Sequence, residues 1–120
     1  MILTYSRDSF MNDILAGIKK TTFREDPNNR WHKGRAIQHW RGSPRNVKKR
    51  PFQFAFGVCT DIEIAEIDPD MNRITLDGHP HTNKVVLNMI AWDDGFKDWE
   101  DMKLWFNKPW KGKRIHFINK

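Results

Sequence analysis

The run GIKKTTFRED, from Gly17 to Asp26, places two lysines, two threonines, an arginine and two acids directly after a glycine. If this run enters a β-strand, alternate side chains share a face, so Lys20, Thr22 and Arg24 line one side and Lys19 reaches over from the turn. That face presents a hydroxyl flanked by cations. A threonine hydroxyl is a weak nucleophile, but a neighbouring amine whose pKa is lowered by burial or by like charge can take its proton. On these residues alone, a polar edge strand with solvated lysines is the competing reading. A second group follows in NRWHKGR and HWRG, where Trp31 and Trp40 stand among basic residues. Aromatics interleaved with cations can stack bases, each stack contributing about 1–3 kcal/mol, while the cations hold phosphates.

The charge distribution points the same way. Positions 18–50 hold eleven Lys or Arg against two acids, and the rest of the chain holds ten against thirteen. A concentrated positive field suits a polyanion, and nucleic acid is the commonest one in a cell; a solvated basic face that aids solubility is the alternative. Within that segment RGSPRNVKKRP, Arg41 to Pro51, contains two prolines, one glycine and five basic residues and reads as a loop. Its Arg41, Arg45, Lys48, Lys49 and Arg50 are the candidate phosphate contacts.

These residues need elements to hold them. A strand is expected at Ile2–Tyr5. A helix should follow, capped by Ser6, with Phe10, Ile14 and Ile18 on one face and Gly17 at its end. Thr21–Phe23 and Arg35–Trp40 read as strands separated by the turns DPNN and KG. Two further strands are expected at Gln53–Val58 and Asp61–Ile67, then a hairpin turn at DPDMNR and a strand at Ile74–Leu76. DGHPHTN reads as a polar turn, and Val85–Ile90 as a short buried helix or strand broken by DDGF. Trp99, Met102, Trp105 and Phe106 lie at helical spacing on an amphipathic helix with both tryptophans in the core, and Lys113–Ile118 closes the chain as a strand. Short strands outnumber helices without alternating with them, so the fold class is α+β: a small, strongly curved sheet or barrel flanked by two or three helices in one domain spanning 1–120.

Other chemistry finds less support. No phosphate-binding glycine loop, dinucleotide motif or zinc-protease helix is present, so no cofactor is expected. His79 and His81 flank Pro80 without a cysteine or carboxylate at ligand spacing, which suggests an exposed turn rather than a metal site. Cys59, the only cysteine, sits in an apolar run and is expected to be buried. With no basic leader before a long apolar run, and no stretch near the roughly 18 apolar residues of a membrane span, a soluble cytoplasmic protein is expected. Exposed tryptophans at Trp31 and Trp110 would also serve a protein partner.

The run FMNDILAGIKKTTFRED, followed by a KG turn and a strand, resembles the amino-terminal signature of the ASCH domain, a PUA-like barrel family: a helix ending I-L-x-G, then K-x-x-T, then an arginine. DDGF with the helix bearing Trp99, and KGKRIHF as the last strand, are similar to that family's E-G-F segment and closing strand. The resemblance spans almost the whole chain. It implies binding of RNA or a modified base in a cleft beside the sheet. It also implies a second possibility, because small bacterial members with this motif hydrolyse N4-acetylcytidine with a lysine, a threonine and a glutamate. Lys19 and Thr22 match the first two, and Asp94 falls on the glutamate, one methylene shorter. Some members cleave RNA, although no metal-binding carboxylate cluster is evident here. The long basic loop suits a polymeric substrate.

Overall fold

In the computed structural model, which describes residues 1–120, seven strands form one mixed sheet accompanied by three α-helices. The chain runs β1 (Ile2–Tyr5), α1 (Asp8–Leu15), β2 (Thr21–Arg24), β3 (Ala36–Arg41), a 3-10 turn (Val47–Lys49), β4 (Phe52–Asp68), β5 (Arg73–Leu76), β6 (His79–His81), α2 (Lys84–Asp93), α3 (Trp99–Trp105) and β7 (Trp110–Asn119). The α+β expectation holds. The first helix starts later than Ser6 suggests: Arg7 occupies the cap position and no side chain caps it.

The organising element is β4. Its first part pairs antiparallel with β3, Gly57–Ile67 pairs with β7, and Ala65–Asp68 pairs with β5. The sequence suggests two strands here because Thr60 and Asp61 interrupt the apolar pattern. The chain instead continues as one 17-residue strand with a register shift between Cys59 and Asp61. Such a bulge inserts an unpaired residue and bends the strand without ending it. His79–His81, expected as part of a turn, pairs with β5 as an edge strand.

The sheet is curved but not closed into a barrel. β1 pairs only with β3, in parallel, and β2 only with β7, so each keeps one edge free of backbone partners. A side chain spans the gap between them: an Arg24 guanidinium nitrogen donates to the Thr4 carbonyl at 2.8 Å. An open seam bridged by one arginine leaves room for a cleft.

Behind the seam lies one contiguous core of twenty buried residues, with Phe10 and Ile14 of α1 and Ile37, Ile67 and Ile115 of the sheet among them. Cys59 is buried as expected, and burial raises its thiol pKa. α2 and α3 pack on one another. Asn83 caps α2 by accepting from the Val85 and Val86 N–H groups, and Asp98 caps α3 by accepting from the Asp101 N–H. Asn72, at the β4–β5 turn, accepts from the Trp99 indole at 2.9 Å and ties α3 to the sheet. No helix is long and apolar enough to cross a membrane.

Candidate functional site

The polar cluster forms where α1 hands over to β2. After Gly17, which has φ +75°, the Ile18 and Lys19 N–H groups both donate to the Asp13 carbonyl, so the chain turns tightly around the helix end. The Lys20 N–H then donates to the Asp93 carbonyl, and the Lys20 carbonyl accepts from the Phe117 N–H. Fixed on both sides, this backbone sends successive side chains to opposite faces. Lys19 goes inward and is 3% exposed. Lys20 goes outward to solvent and lines no part of the cleft, which corrects the expectation that it shares a face with Thr22 and Arg24.

Lys19 reaches the end of α2. Its ammonium donates to the Asp94 carbonyl at 2.6 Å and the Thr21 carbonyl at 2.7 Å, and lies 3.5 Å from an Asp94 carboxylate oxygen. The same oxygen accepts from the Thr21 hydroxyl at 3.2 Å. Asp94 is itself 3% exposed, so the pair is held out of water. Burial disfavours both charges: it pushes Lys19 down to about 8, against the partial support of the carboxylate, and it raises Asp94. In its neutral form the amine meets both short carbonyl contacts with its two N–H groups, leaving its lone pair free to accept a proton. Asp93, the other acid of DDGF, points away and lies 3.7 Å from Arg114.

Thr22 faces the same chamber from the next position of β2. Its hydroxyl accepts from Arg24 Nε at 3.0 Å and bonds to neither Lys19 nor Asp94. The threonine joined to the lysine–aspartate pair is Thr21, which alternation along the strand turns to the other side. Arg24 and Lys19 both lie over the Tyr5 ring, at 5.1 and 5.8 Å from its centroid, and Lys19 is 4.9 Å from that of Phe10. The Tyr5 hydroxyl is 2.9 Å from Nδ1 of the buried His39. Burial, together with the charges of Lys19 and Arg24, pushes that imidazole down to about 4, so it is neutral at physiological pH. Tyr5 is thereby a fixed platform beneath two cations.

These groups border a chamber of about 330 Å³ in the β1–β2 seam, with Phe10, Phe23, Phe96, Phe106 and Trp110 among its walls. The chamber adjoins a wider cleft of about 850 Å³ on the side of the basic loop. Thr4, Tyr5, Ser6, Arg24 and Trp105 line both. Of the loop cations, Arg41, Lys49 and Arg50 line the outer cleft; Arg45 and Lys48 are exposed outside it. No family model, curated protein or solved structure matches the chain.

The tryptophans divide differently from the expectation. Trp31 is 4% exposed and belongs to the core, with its backbone N–H donating to Asp26, so its ring has no free face for a base or for a protein partner. Trp40 is half-buried on β3 with its indole donating to Gln38, and it lines neither cavity. Trp105, expected in the core, is 48% exposed at the boundary between chamber and cleft. It packs edge-on against Phe10, and the Arg7 guanidinium lies 5.9 Å from its ring. No group of three or more His, Cys, Asp or Glu side chains is placed to hold a metal ion.

Proposed function

We propose that the β1–β2 seam binds a nucleobase, free or within an RNA strand, as the resemblance to the ASCH domain implies. One observation carries the reading: an aromatic-walled chamber with a buried lysine–aspartate pair opens directly into a cleft lined by the basic loop. Flat apolar walls suit a heterocycle, buried polar groups can read its edge, and the cations outside suit phosphates. Fluorescence anisotropy with labelled single-stranded RNA tests it. For three to five phosphate contacts, affinity should fall on the order of 10- to 100-fold between about 50 and 200 mM salt. An affinity that barely changes over that range removes the reading.

The buried amine supports a second, catalytic reading: hydrolysis of an acylated exocyclic amine such as that of N4-acetylcytidine. Water adds to the acyl carbon, the C–N bond breaks, acetate leaves, and the ring amine takes up a proton. Lys19 serves as the base, Asp94 holds it and returns a proton to the leaving amine, Thr22 orients the water or acts as nucleophile, and Arg24 contacts the carbonyl oxygen. With Lys19 near 8, the neutral amine increases about tenfold per pH unit below that value and saturates above it. The rate should rise with that slope from about pH 6 and level off near pH 8 to 9. Chromatography for cytidine measures it, with Lys19→Ala as the control. A flat profile, or no cytidine above the control, excludes this reading for that substrate.

A further inference from the structure

The electrostatic character of the cavity changes along its length. In the chamber the cations Lys19 and Arg24 face the acids Asp94 and Glu25, so the charge is balanced and the remaining surface is largely aromatic. In the outer cleft Arg24, Arg41, Lys49 and Arg50 face a single acid, Asp8. That acid is already engaged, since Arg41 Nε donates to it at 2.7 Å. Arg24 has only the neutral acceptors Thr22 and Thr4. Lys49 and Arg50 form no ion pair either, so the excess positive charge rests on Arg24, Lys49 and Arg50, of which the last two line the outer cleft alone.

Arg50 carries a further mark. Its backbone is left-handed, with φ +50° and ψ +60°, a conformation in which a long side chain is strained and a glycine would sit more comfortably. The 3-10 turn Val47–Lys49 ends at this residue. A strained cation on the rim of a cleft is an arrangement found where position matters more than stability.

Size sets the other limit. At about 330 Å³ the chamber lies at the bottom of the range for small-molecule sites, roughly 300–1,000 Å³, so it admits one ring system and not a stretch of chain. Trp105 stands at the junction, half exposed and backed by Phe10.

We propose that the ligand is a nucleoside carrying a phosphate on its sugar: the base stacks on Trp105 at the mouth of the chamber, and the phosphate is held in the outer cleft by Lys49 and Arg50. This rests on the base-binding reading and narrows it, because a neutral nucleoside leaves the cationic half of the cavity empty. The phosphate belongs either to a free mononucleotide or to a unit of a strand. Arginine is suited to the task, since its planar guanidinium can bind a phosphate through two parallel hydrogen bonds.

Calorimetric titration at low salt with the four ribonucleosides, their 5′-monophosphates and a single-stranded tetranucleotide tests the proposal. At least one monophosphate, or the tetranucleotide, should bind tenfold or more tightly than its nucleoside. In the doubly substituted Lys49→Ala, Arg50→Gly protein that advantage should vanish while nucleoside affinity stays unchanged; the glycine also relieves the left-handed backbone, so folding is not at risk. Trp105→Ala should weaken nucleoside and nucleotide by the same factor. Arg45→Ala with Lys48→Ala, outside the cleft, should leave mononucleotide binding as it was. A monophosphate advantage assigns the phosphate to the free nucleotide, and an advantage shown by the tetranucleotide alone assigns it to a strand. Equal affinity for nucleosides and phosphorylated ligands overturns the proposal and leaves base binding intact, whereas no binding by any of them overturns base binding and the proposal together.

Discussion

Replacing Lys19 with alanine lowers stability at neutral pH by about 3–5 kcal/mol, the usual cost of removing one partner from a buried ion pair. The cause is the carboxylate left behind. Asp94 has its oxygen against Thr21 and is sealed from water, and burial already raises its pKa. Without the ammonium it can escape only by protonation, so the folded variant binds a proton that the unfolded chain has released. Stability of Lys19→Ala must therefore decline as pH climbs out of the ordinary carboxylate range, about 4, toward neutrality, because the folded state keeps a proton that the unfolded chain gives up. The damage is smallest near pH 4 and largest at pH 7 and above. Urea denaturation at several pH values measures it. The double substitution Lys19→Met, Asp94→Asn removes both charges and keeps an acceptor for Thr21; it should return to within about 1–2 kcal/mol of the parent, since neutral replacements of a buried pair are often tolerated. Catalysis, if the hydrolytic reading holds, should not return with it. A Lys19→Ala protein within 1 kcal/mol of the parent at pH 7 would show that the pair is not the desolvated centre described above.

Where the local pattern alone decides a structure, the residues predict it well. The spacing of Phe10 and Ile14, the β-branched run at Thr21 and the turns at Asp26 and Asp68 set element types through backbone preference and one-sided burial, and the strands and helices follow. Most of the failures lie where a distant partner decides. Lys20 leaves the expected face because the backbone on either side is claimed by Asp13, Asp93 and Phe117, which alternation within a strand cannot foresee. Trp31 looks like a surface aromatic among Arg30, His32 and Lys33, yet the loop exposes those neighbours and turns the ring inward, its backbone N–H held by Asp26. Trp105 shows the opposite error. Six residues at 3.6 per turn put it about 120° from Trp99, so the two cannot share a face; Met102 takes the buried position and Trp105 turns to the cleft. That angle was available in the sequence. The role of Thr21 in place of Thr22 beside Asp94 was not, because it depends on how a helix end 73 residues away meets the strand.

That meeting point turns on Gly95, and Gly95→Ala should cost about 2–4 kcal/mol and weaken ligand binding at least tenfold. Two effects add. The residue has φ +90°, which an L side chain adopts only with strain of roughly 1 kcal/mol. A Cβ there would also stand 2.9 Å from Lys19 Cδ and 2.9 Å from Phe10 Cδ1, inside van der Waals contact, and overpacking of that kind costs about 1–3 kcal/mol. Gly17→Ala separates the terms. Gly17 is left-handed too, at φ +75°, but a Cβ there meets nothing within 4 Å, so that variant should show the backbone penalty alone, about 1 kcal/mol, with binding intact. Excess destabilisation at Gly95 then measures contact with Lys19 and Phe10. Because Phe10 backs Trp105 and Lys19 carries the amine, displacing either by about 1 Å disturbs both ends of the chamber, and a misplacement of that size can cost on the order of 100-fold in rate where chemistry depends on it. Thermal denaturation and nucleotide titration of the two variants side by side decide the matter. If Gly17→Ala and Gly95→Ala lose the same stability and both bind normally, the turn after α2 acts only as a helix terminator, and the site does not depend on how closely it packs against Lys19.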